Sequence, residues 1–126
     1  MSIKKVLAII WSVFLIIISS MPGSTVREIG FMGIKNIDKI GHFLMYAGFT
    51  YLWSVVLWKE YNFKLFWMPP VVVAIILGVI LEFLQGAFFS ERSFEIADIV
   101  ANTLGAVSVV VFFIVKESSN RKLLAQ

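Results

Sequence analysis

The side chains that could do chemistry in this chain are polar groups set inside apolar runs. Asp38, Lys39, His42 and Tyr46 come first, followed by Glu82 and Gln85, then Arg92, then Asp98 and Asn102. Polar and ionisable residues at membrane depth are costly, so their presence points by default to function. On a helix, residues three or four apart share a face. Asp38, His42 and Tyr46 therefore stack on one face, Glu82 and Gln85 on a second, and Asp98, Asn102 and Gly105 on a third. Counted from the end of each apolar run, His42, Glu82 and Asp98 each lie about one turn in, and a turn is about 5.4 Å. Three helices are thus expected to place an ionisable group in one layer, with Lys39, Gln85 and Arg92 above it and Tyr46 and Asn102 below.

Two carboxylates in one layer repel unless one is protonated or a cation intervenes. His42, Lys39 and Arg92 can supply that cation, so the groups can serve simply as interhelical glue. The functional reading is preferred because glue rarely needs this many ionisable groups at one open end. Four chemistries fit. His42, Glu82 and Asp98 are suitable ligand types for a divalent metal, but no HExxH or DxD spacing supports one, and no metal or cofactor is assigned. The same three residues suffice for general acid–base work on a lipid headgroup, although no nucleophile motif accompanies them. A Glu–His pair can relay protons for transport, yet the groups lie near one face and not at the midplane. Finally, Lys39 and Arg92 can bind the phosphate or carboxylate of an envelope molecule.

The elements that must position these groups follow from composition. The 126 residues are 60% hydrophobic and 15% charged, with a mean hydropathy of +0.91. Soluble domains are about 45–50% apolar and about 25% charged. The excess comes in long runs, which indicates an integral membrane protein of one domain, residues 1–126. The net charge of +3 is scattered among acids and forms no basic stripe, so nucleic acid is not an expected partner. Cysteine is absent, which excludes disulfide and thiol chemistry, and one histidine cannot build a tetrahedral structural zinc site.

Four spans are expected, at about 4–21, 39–58, 65–85 and 94–115. The first apolar run is short and follows Lys4 and Lys5, so a signal peptide competes with a retained span. A retained span is preferred because four helices close a bundle better than three, and its apolar bulk reads as a lipid-facing wall. Residues 21–37 read as a loop able to cover the outer mouth. Asp38 is expected in the first turn of the second helix, where anions are favoured. Tyr51, Trp53, Trp58, Tyr61, Phe66 and Trp67 read as an interfacial aromatic belt. Pro69 and Pro70 suit a helix start. The β-branched run from Val71 is expected to be helical, because a lone strand leaves its backbone unsatisfied in lipid. Ala97, Ala101 and Gly105 form a small-residue strip that Gly41 and Gly48 are expected to receive. Lys116 to Gln126 reads as a surface tail.

Lys4, Lys5, Lys59, Lys64, Lys116, Arg121 and Lys122 fall on one side of this arrangement; Arg27, Lys35, Lys39 and Arg92 fall on the other. The positive-inside rule then puts both termini in the cytoplasm and the polar layer outside. The expected fold is an all-α, multi-pass bundle of four transmembrane helices in the cell membrane.

The order Asp38-Lys39, His42, Tyr46, then Glu82-x-x-Gln85, Arg92, and Asp98-x-x-x-Asn102-x-x-Gly105 resembles the VanZ-like family, named after the teicoplanin resistance protein of glycopeptide resistance clusters. The match covers the second to fourth spans. In the outer turn, Phe89, Ser90 and Glu91 stand where the family pattern has a Pro before the Arg. The resemblance implies a small bacterial membrane protein and, by similarity to the type member, lowered susceptibility to teicoplanin. Its expected partners are membrane lipid and a lipid-linked cell-wall precursor or glycopeptide, with Asp38, Lys39, His42, Tyr46, Glu82, Gln85, Arg92, Asp98 and Asn102 as binding residues. Glu82, Asp98 and His42 are the candidates should it be a hydrolase or transferase.

Overall fold

The structure, a computed structural model, describes residues 1–21, 37–61, 65–88 and 93–124. Among these residues it is all-α, with four helices and no strand: α1 (Ile3–Ser19), α2 (Ile37–Tyr61), α3 (Met68–Phe88) and α4 (Ile96–Leu124). Three are long and apolar enough to cross a membrane: Ile37–Tyr61, Met68–Phe88 and 96–119 of α4. The loop expected over 21–37 and the turn carrying Arg92 lie almost wholly outside the described residues.

Local chemistry accounts for the helix starts. The Ser2 side chain accepts from the Lys5 N–H and caps α1. Asp38 stands in the first turn of α2 and Asp98 in that of α4, where the exposed N–H groups favour anions. Pro69 and Pro70 fall in the first turn of α3, where a missing N–H costs nothing. The run from Val71 is helical, as the need to satisfy the backbone within lipid requires. The C-terminal segment differs from expectation. Lys116 to Leu124 is not a loose tail; it continues α4 without a break. It contains neither Pro nor Gly, so nothing there interrupts the hydrogen-bond ladder of the span.

Helix α2 is the centre of the bundle, packing against α1, α3 and α4. The core gathers Leu15, Tyr46, Phe49, Ala74 and Ala106, with Trp11, Met45, Trp53, Leu77 and Leu81 around them. One face of α1 therefore packs into the bundle, where the whole helix was expected to be an outer wall. Leu7, Ile10, Val13 and Ile17 point outward, whereas Ala8 and Leu15 are buried. The Trp11 indole donates to the Met45 carbonyl at 2.9 Å, and the Trp53 indole donates to Ser12 Oγ at 3.0 Å. Trp53 thus leaves the expected aromatic belt and ties α2 to α1. Of the rest of that belt, Tyr51 stacks on Phe113, Trp58 stacks on Phe66 and Phe66 meets Phe113 edge-on, at the end of the bundle away from the polar layer.

Two glycines set the helix spacing. A Cβ on Gly105 would lie 2.2 Å from the Phe43 carbonyl oxygen, so α4 rests directly on the backbone of α2. A Cβ on Gly48 would lie 2.5 Å from the Trp11 ring. The small-residue strip of α4 does reach α2, but its receiver is the backbone at Phe43. Gly48 receives α1 instead, and Gly41 has nothing near its Cβ direction. Bare backbone accepts a neighbouring helix as well as a glycine does when the partner supplies the missing side chain.

Gly105→Ala is expected to destabilise the protein by about 1–3 kcal/mol, because the clash is with backbone and cannot be relieved by a rotamer change. Gly41→Ala, in open space within a helix, is expected to be neutral or to stabilise by up to about 1 kcal/mol. Thermal unfolding in detergent measures both.

Candidate functional site

The polar side chains meet where the N-terminal turns of α2 and α4 come beside the C-terminal half of α3. They form an exposed rim and a buried floor.

At the rim, the Lys39 ammonium donates to Asp38 Oδ2 at 2.6 Å and to Glu95 Oε2 at 2.5 Å, and lies 2.8 Å from Asp98 Oδ1. The Asp38 and Glu95 side chains are each 47% exposed, that of Lys39 is 23% and that of Asp98 is 10%. One cation thus bridges three carboxylates and joins the first turn of α2 to the start of α4. A charge-assisted pair with a partner this buried holds more firmly than a surface pair, because water screens it less.

The floor is built from His42, Glu82, Asp98 and Asn102. Glu82 is 1% exposed, Asn102 2% and Asp98 7%. His42 Nδ1 lies 3.0 Å from Asn102 Oδ1. An amide oxygen only accepts, so with the amide so oriented Nδ1 carries the proton and donates. His42 Nε2 then faces Asp98 Oδ2 at 3.8 Å. The Glu95 N–H donates to Glu82 Oε1 at 2.8 Å, so a carboxylate of α3 satisfies an amide at the entry to α4. One ligand atom each from His42, Glu82 and Asp98 lies within 4.8 Å of the others. The shared layer read from helical counting is therefore the arrangement of the folded chain. Asp38, Glu95 and Asp98 form a second such group, which surrounds the Lys39 ammonium.

The remaining expected site residues divide. Tyr46 is 1% exposed and belongs to the core. Its ring and the Asn102 side chain both press on Gly78, whose Cβ would lie 3.3 Å from Tyr46 Cε1 and 3.1 Å from Asn102 Nδ2. Gln85 is turned away from the layer, donating from Nε2 to the Ser19 carbonyl at 2.7 Å. It satisfies a carbonyl in the last turn of α1, which has no acceptor role left within its own helix. Arg92 lies outside the described residues. Glu95 was not among the residues expected from the sequence. Its signal was present: Glu95 and Asp98 are three apart at the N-terminal edge of a span, the spacing that places two acids on one face.

Chemically, the floor sets an imidazole between an amide oxygen that fixes its tautomer and a carboxylate 3.8 Å from its other nitrogen. This is suited to holding and moving a proton at Nε2. The rim offers carboxylates and an ammonium already engaged with them. A family model described as VanZ/LLP1 matches residues 3–117. No curated protein and no solved structure matches the chain.

The Lys39–Asp98 pair is expected to show coupling. Lys39→Met and Asp98→Asn should each destabilise, and the double variant should lose about 1–3 kcal/mol less than the sum of the two. A double-mutant cycle of unfolding in detergent checks this.

Proposed function

Because the chain belongs to the VanZ/LLP1 family, we propose that it is a multi-pass cell-membrane protein whose polar layer binds the headgroup of a lipid-like ligand or lipid-linked cell-wall precursor. In this reading both termini are cytoplasmic, as the distribution of Lys and Arg suggests, and the rim opens to the outer face. Occupying that ligand changes access of a glycopeptide to the cell surface and lowers teicoplanin susceptibility. The observation that carries the reading is the convergence of His42, Glu82 and Asp98 within 4.8 Å beneath an exposed charged rim. Apolar packing alone would join these helices, so ionisable groups buried together at one end favour a site.

The rim also refines the chemistry. Lys39 already contacts three carboxylates, so a phosphate or carboxylate would have to compete with Asp38, Glu95 and Asp98 for it. Hydrogen-bond donors and cationic groups suit these acids better. A second reading, a hydrolase or transferase acting on a lipid headgroup, draws on the His42 geometry. An imidazole fixed by Asn102 and facing Asp98 is arranged for general acid–base work.

Glu82→Gln, Asp98→Asn and His42→Ala separate these readings. Variants that remain folded in detergent but no longer lower teicoplanin susceptibility of expressing cells support a site. Loss of folding in all three supports a purely structural layer. A changed lipid or wall-precursor profile on overexpression, abolished by His42→Ala, would favour the enzyme.

A further inference from the structure

Below His42, α2 carries two hydroxyl side chains, Thr50 and Ser54, that none of the interactions above uses. His42, Tyr46, Thr50 and Ser54 follow one another at four-residue steps on one helix face. Thr50 and Ser54 are 0% exposed. Their hydroxyls have no hydrogen-bond partner among the described residues.

Other helical hydroxyls in this protein behave differently. Ser12 donates to the Ala8 carbonyl, Ser20 to that of Ile16, Thr103 to that of Ile99 and Ser108 to that of Gly105. Each returns its proton to its own helix, the usual solution where water is absent. Thr50 and Ser54 do not, although the carbonyls four residues back are as near in sequence. A buried hydroxyl without a partner bears the full cost of its desolvation. Two such groups one turn apart, in line with a polar layer, call for a partner that the described side chains do not supply.

We propose that Thr50 and Ser54 hold ordered water. With Tyr46 and His42, they form a hydrated column running from the floor of the polar layer into the bundle. Geometry suits this. Four residues of helix rise by about 6 Å. A water accepting from one group and donating to the next spans about 4.5 Å, because its two bonds meet near the tetrahedral angle. Two waters therefore bridge the step between Thr50 and Ser54, whose short side chains keep their oxygens near the helical repeat. From His42 to Ser54 the column is about 18 Å long. Trp58, Phe66 and Phe113 pack together farther along the bundle, so the column is blind at that end. It brings water and mobile protons to the inner side of His42 and Glu82, opposite the rim. It does so whatever ligand the rim takes.

The test uses the full chain in detergent. Tyr46 is 1% exposed, so bulk water scarcely reaches it. Radiolytic hydroxyl-radical labelling read by mass spectrometry should nevertheless modify Tyr46, through water held beside it. Thr50→Val/Ser54→Ala, which keeps side-chain shape, should reduce that labelling severalfold and lower the melting temperature, because bound water loses its partners. An unlabelled Tyr46 in the unaltered protein would overturn the proposal. So would labelling unchanged in the double variant. A melting temperature equal to or above that of the unaltered protein would also overturn it, since dry, unpartnered hydroxyls are improved by apolar replacement.

Discussion

Lys39 brings a single positive charge to the junction of α2 and α4, where Asp38, Glu95 and Asp98 close around it. Without a cation there, three carboxylates would crowd one end of a membrane bundle, two on helix N-termini that attract them and none able to move far away. The ammonium turns that repulsion into a cross-link. The rest of the layer depends on this. Asp98 is held where its second oxygen faces His42, and Glu95 is held where its N–H reaches Glu82. The rim is thus both the lid of the site and the tie that brings its three walls to one depth.

Close packing lower in the bundle makes that tie possible. Gly105 lets α4 lie on the backbone of α2 at Phe43, one residue after His42. At that separation Asn102, one turn nearer the layer on α4, reaches the imidazole. On the other side of α2, Gly48 accepts the Trp11 ring and the Met45 carbonyl takes its indole proton. Gln85 secures the end of α1 against α3. Polar contacts here are few, but each satisfies a group that lipid would leave unpaired.

The protein therefore concentrates its polarity along one path. An exposed charged rim leads to a buried floor, and the floor to a stripe of hydroxyls on α2. Family membership and three helices able to cross a membrane supply the setting, and the path gathers the polar chemistry at one end of the bundle.

The linear chain determined the helices, their order and the layer. Hydrophobic run length fixes spans because lipid admits only structures that satisfy their own backbone. Spacing of three or four fixes faces because the helix repeats every 3.6 residues. His42, Glu82, Asp98 and Asn102 were legible for that reason. Partner choice was not. Lys39 reads as an anion-binding cation until the fold surrounds it with acids from two helices. Gln85 shares a face with Glu82, yet its amide donates to the α1 carbonyl of Ser19. Glu95 gains its role only when α3 brings Glu82 under its N–H. Gly48 and Gly41 look alike in sequence and differ because one faces a tryptophan and the other faces nothing. Local periodicity says which side of a helix a group is on; only the crossing of neighbouring helices decides what it meets there.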